Sequence, residues 1–135
     1  MRISSMLITA ALLAAPVAAK GPSRQERGEA ELAKVLKGYV AGPKVRCVTL
    51  SDITNQTVID GTAVIFWGLR GKAWVNRPDG AEFLRDDNIL ITKPFGGQHC
   101  RLDIVHQRDR TTRMQGAAFT FNDFTLYTKE KTPKR

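Results

Sequence analysis

The chain has 135 residues, 42% of them hydrophobic and 25% charged, with 21 Lys and Arg against 13 Asp and Glu and a formal net charge of +8. That length suits one domain able to bury its own core. Two cysteines and two histidines are the whole supply of thiol and imidazole.

Residues 1–19, MRISSMLITAALLAAPVAA, read as an export leader. Arg2 precedes an apolar run from Met6 to Ala15, and Val17 and Ala19 stand at the −3 and −1 positions of a signal-peptidase site. The run is too short and too alanine-rich for a lasting span of ~20 residues. No cysteine lies near the cut, which excludes a lipoprotein. The expectation is cleavage after Ala19 and a periplasmic or secreted chain with no transmembrane span. That chain keeps 20 Lys and Arg against 13 Asp and Glu, a net charge of +7. Most of the excess lies in RDRTTR (108–113, +2) and in the tail KEKTPKR (129–135, +3). Such runs are usually solvated rather than dedicated sites. Export takes the protein away from nucleic acid. An anionic envelope component or another protein is the expected partner.

Ser23 and Glu26 have capping-box spacing. Leu32, Val35, Leu36, Tyr39 and Val40 recur on one helical face, predicting an amphipathic helix over about 24–37, stopped by Gly38. Ala-Gly-Pro at 41–43 reads as a turn. KVRCVTL (44–50) reads as a strand, and SDITNQTVID (51–60) holds a short extended piece near 57–60. TAVIFWG (62–68) is apolar without alternation, as in a strand covered on both faces. With LRGK as the bend it forms a hairpin with KAWVN (72–76). RPDG (77–80) is a turn and AEFLRDDN (81–88) one helical turn. ILITKP (89–94), the stretch 98–106 and AAFTFNDFTLYT (117–128) complete the strands, with Phe119, Phe121 and Tyr127 on one face of the last. The expected fold is α+β, mainly β: an N-terminal amphipathic helix on a twisted antiparallel sheet, with closure into a small barrel left open. One domain spans 20–128, and 129–135 is a basic flexible tail.

GGQHCRLDIVH (96–106) gathers both histidines, a cysteine and a carboxylate. Alternation along one strand puts His99, Arg101, Asp103 and Val105 on one face, and Cys100, Leu102, Ile104 and His106 on the other. The histidines then point apart, so neither a zinc site nor a Cys–His nucleophile is built here. The expected arrangement is a core edge of Cys, Leu and Ile with a charged outer row. Export places Cys47 and Cys100 where disulfides persist, and two cysteines allow one bridge.

Other chemistries find no support. Ser23 and Ser51, the only serines past the leader, lie in no nucleophile motif. There is no H-E-x-x-H and no phosphate-binding glycine loop. Asp86-Asp87-Asn88 reads as a turn rather than a calcium loop. Asn55-Gln56-Thr57 matches a glycosylation acceptor. No cofactor, metal or catalytic residue is expected, and no carboxylate pair stands out for hydrolysis. In FWGLRGKAWVNR (66–77), Trp67 and Trp74 flank a turn with Arg70, Lys72 and Arg77. Aromatics among cations can grip sugars or headgroups. With His99, Arg101 and Asp103 they form the candidate binding surface, against the plainer reading that the aromatics fill the core.

The chain resembles a family of small exported proteobacterial proteins of unassigned function. The likeness runs from about 46 to 127, on RCVTLSDI (46–53), VID (58–60), WVN (74–76), CRLDIV (100–105) and FNDF (121–124). The family pattern has two further cysteines, where this chain reads PDGAEF and GAAF. Their joint loss beside a retained Cys47 and Cys100 is what independent bridges permit. The resemblance implies a Gram-negative envelope setting and brings no activity. The functional expectation is a binding or accessory module for an envelope glycan, lipid headgroup or protein. The alternative is a carboxylate-dependent hydrolase of an envelope polymer.

Overall fold

The computed structural model describes residues 19–132, so the leader reading of residues 1–18 lies outside the described residues. The local signal at Ser23 is realised as a capping box: its hydroxyl accepts the Glu26 N–H and the Glu26 carboxylate accepts the Ser23 N–H. Helix α1 follows over Arg24–Val35. It is not a helix at the chain's N-terminus, and it stops short of Lys37. Gly38 takes a positive φ of 84°, which glycine adopts without strain. Tyr39 and Val40 then leave the helical row and open strand β1 (Tyr39–Val45). The expected turn at 41–43 lies inside that strand. Pro43, which has no N–H to give a ladder, sits where the register shifts between Ala41 and Lys44.

The remaining elements are β2 (Cys47–Thr49), a 3-10 turn (Leu50–Asp52), β3 (Ile53–Ile59), β4 (Ala63–Gly68), β5 (Lys72–Asn76), a 3-10 turn (Ala81–Phe83), β6 (Asn88–Thr92), β7 (Gln98–Cys100), β8 (Ile104–Asp109), β9 (Gln115–Thr120) and β10 (Phe124–Lys129). Among the described residues the fold is mainly β, antiparallel, with one α-helix. Strands pair as β1–β10–β5–β4–β3, β2–β7 and β6–β8–β9. The outer strands β1 and β3 of the large sheet do not pair, so no barrel closes. Among the described residues no helix is long and apolar enough to cross a membrane.

Two stretches expected as single strands are each folded in two. At 100–103 the Asp103 N–H reaches the Cys100 carbonyl at 3.1 Å, and Leu102 has a φ of 73°. A type II turn therefore stands where extended backbone was expected. The Asp103 carboxylate holds it by accepting the Cys100 N–H at 2.8 Å. At 121–123 the chain turns again, with Asn122 clasped by Asn76 through bonds of 2.7 and 3.2 Å.

Alternation on β4 and β5 sorts the core into two clusters. Val64, Phe66 and Trp74 face one side with Phe119, Phe121 and Phe124. Ala63, Ile65, Ala73 and Val75 face the other, beneath Leu32 and Leu36 of the helix region. The β4–β5 hairpin bends at Arg70 and Gly71, both at positive φ, which is type I′ geometry. Arg24 ties α1 to the sheet and loop, pairing with Asp60 and donating to the carbonyls of Glu82 and Leu84. The basic tail begins inside β10: the Lys129 N–H meets the Gly71 carbonyl and the Glu130 N–H that of Gly38, each at 2.8 Å.

Candidate functional site

Helix α1 shields the β3–β4–β5 part of its sheet face, where Leu32 and Leu36 meet Ile59, Ile65 and Val75. The β1–β10 part of the same face lies at the flank of that cover. Cross-strand pairing there aligns Lys44, Thr125 and Val75 in one row, and Ala41, Tyr127 and Ala73 in the next. Arg77 follows β5, and Asp123 precedes β10. The result is a groove. A cavity of about 300 Å³ is lined by Lys44, Arg77, Arg101, Asn122, Asp123 and Thr125, with Val75 and Tyr127 as its floor. A second hollow of about 270 Å³ adjoins it against the helix and shares Arg77 and Tyr127.

The electrostatics favour an anion. Arg77 grips Glu29 of α1 with both terminal nitrogens, and this bond holds the Glu29 carboxyl below its usual range. Arg101 lies 3.8 Å from Asp123 Oδ2, a long pair, while Asp123 Oδ1 is buried without a hydrogen-bond partner among the described residues. Lys44 makes no ion pair among the described residues. Three cations thus stand against two carboxylates, with amide and hydroxyl groups between them. Such a surface can orient a carboxylate, phosphate or sulfate group. Glu29 is committed to Arg77, so the groove does not present two free carboxylates for acid–base work.

The sequence-derived surface is dispersed. Phe66 pairs with Trp74 and Trp67 with Ala73, so the two tryptophans point to opposite faces of the sheet. Trp74 is core, 9% exposed, and Trp67 is half-buried with its Nε1 donating to Thr57 Oγ1 at 2.9 Å. Arg70 and Lys72 stay at the hairpin tip, where they line a small hollow of about 230 Å³ with Trp74, Asp52 and Leu69. The row His99, Arg101, Asp103 does not form. His99 is buried between the rings of Phe66 and Phe121, and Asp103 is spent on the turn. The expected core edge is reversed as well: Leu102 and Ile104 are exposed, while His99 and Val105 face inward. The turn at 101–102 breaks the alternation on which that expectation rested.

As the fold brings Arg70, Lys72 and Trp74 together at the smaller hollow, Arg77 and Arg101 are the candidates that it brings together in the groove. Lys44, Asn122, Asp123, Thr125 and Tyr127 join them through the β1–β10–β5 pairing, which no local pattern announces. A larger cleft of about 540 Å³ lies between the 81–88 loop and the β8–β9 hairpin, edged by Glu82, Asp87 and Asp109. Asp109 is occupied there, its Oδ1 accepting the N–H groups of Thr111 and Thr112, which keep its carboxyl low. Among the described residues no cluster of three or more His, Cys, Asp or Glu side chains could hold a metal ion. Comparison of the chain with protein-family models, curated proteins and solved structures finds no match in any of the three.

Proposed function

We propose that the protein is an exported binding module that holds an anionic component of the cell envelope, and that the groove of Lys44, Arg77 and Arg101 is where it does so. The convergence of these cations beside α1 carries the reading. The Cys47–Cys100 bond and the leader of residues 1–19 support an extracytoplasmic setting. The likeness to small exported proteobacterial proteins is part of the same proposal. The shared chemistry is an acidic group on a sugar or on a headgroup.

Thermal shift of the protein against soluble acidic glycans, lipopolysaccharide and peptidoglycan fragments tests it. A ligand at a hundred times its dissociation constant should stabilise the fold by about 2.7 kcal/mol. Lys44→Glu and Arg101→Glu, both at exposed positions, should abolish that shift while leaving the melting of the free protein nearly unchanged. A shift that survives both substitutions, or none across the panel, removes the groove from consideration. Hydrolysis of a polymer in the panel would instead favour the carboxylate-dependent enzyme.

A further inference from the structure

The β6–β8–β9 sheet buries one face. Leu90 packs on the core cluster, and Val105, Gln107 and Phe119 are buried. Among the described residues nothing lies over its other face. Register places Ile91 beside His106 and Ala118, and Ile89 beside Arg108. Ile104 stands next along β8, where it pairs with Thr120, and Lys93 continues the outward alternation of β6. Ile104 is 58% exposed, and Ile91 is exposed too.

Two features distinguish this face from an ordinary solvated sheet. Three of its outward β6 and β8 positions, Ile89, Ile91 and Ile104, are isoleucines, where a half-buried antiparallel strand would carry polar residues. Its charges, Lys93 and Arg108, are of one sign, with no carboxylate at any outward strand position. Beyond one end, two residues past Lys93, comes Phe95, 92% exposed at a tight turn through Gly96 and Gly97. At the other end, the 110–113 loop adds the exposed Arg110 and Arg113.

We propose that this face docks the protein on an anionic lipid bilayer. The isoleucines and Phe95 enter the headgroup boundary, and Lys93 and Arg108 meet the acidic headgroups. Charge decides the occupant. A second copy set face to face would press these cations against their equals with no acid to answer them. The inference concerns a different surface from the groove and does not depend on it.

Flotation of the full chain with vesicles of phosphatidylcholine, alone or mixed with phosphatidylglycerol, tests it, residues 1–19 being the same in every variant. Binding should be confined to the mixed vesicles and fall as salt is raised. Lys93→Ala and Arg108→Ala should each weaken it about five-fold, and Ile104→Ser should weaken it further. Phe95→Trp gives a local reading: brominated phosphatidylcholine in the mixed vesicles should quench the new tryptophan. Equal binding to both vesicle types overturns the proposal. So does binding that Lys44→Ala weakens while Lys93→Ala and Arg108→Ala do not. A vesicle-free dimer dispersed by Ile104→Asp would assign the face to a second copy instead.

Discussion

His99 is a polar ring set in an aromatic box. Its centroid lies 5.5 Å from that of Phe66 and 5.6 Å from that of Phe121, and Nδ1 has no hydrogen-bond partner among the described residues. Burial lowers its pKa below the ordinary 6.5, against a weaker opposing pull from Asp103. The unfolded chain therefore takes up a proton as pH falls through about 6.5, and the folded chain only at lower pH. Stability from this residue is complete above about pH 6.5 and declines as pH drops below it, until the folded ring also protonates. Denaturant melts on the two sides of that pH should show the loss. His99→Phe keeps the ring shape, removes the unpaired nitrogen and should flatten the profile over that window. An unchanged slope in His99→Phe would place the titration elsewhere.

Gln107 shows how one side chain can fix an element. It is fully buried at the centre of β8, and its amide holds the 81–88 loop. Oε1 accepts the Arg85 N–H at 3.0 Å, while Nε2 donates to the carbonyls of Phe83 and Ala117 at 2.9 and 3.1 Å. Gln107→Leu preserves volume and strands these groups, so it should cost about 3 kcal/mol. An unfolding free energy from denaturant melts that falls by less than about 1 kcal/mol would mean water replaces the amide. Elements whose signals are local were legible in the sequence: Ser23 with Glu26 for the helix start, and Arg70-Gly71 for the hairpin. Leu102 carried no such signal. A leucine at positive φ is held there by Asp103 and by the Leu102 N–H on the Phe121 carbonyl, a contact made only in the folded chain. The groove was illegible for the same reason. Arg77 and Arg101 stood out as cations, but Lys44 and Asp123 reach them through strands far apart in sequence. Cys47 and Cys100 could be paired because there were only two.

That bond joins the molecule at the place where its paired backbone is thinnest. β2 and β7 are three residues each, too short to hold together as an isolated ladder. Cys47 and Cys100 are direct partners, with Cα atoms 4.0 Å apart. The flanking Arg101 N–H to Arg46 carbonyl bond marks theirs as a non-hydrogen-bonded pair, where strands approach most closely. The closed loop spans a sequence separation of 53 and contains β3 to β6. On the chain-entropy account the bridge is worth about 4 kcal/mol, so Cys47→Ala with Cys100→Ala should lower stability by about that much. Alkylation of the unreduced protein should add no mass. The bridge also stands between the two proposed binding surfaces. Arg101 of the groove follows Cys100 directly, and Phe95 heads the turn that leads into β7. Loss of the bond should therefore loosen both in a variant that still folds. At a temperature where the double variant remains native, its groove should bind no better than Arg101→Ala. Its Phe95→Trp form should be quenched less by brominated lipid. If the folded double variant binds as the parent does on both counts, the bridge stabilises the fold without shaping either surface.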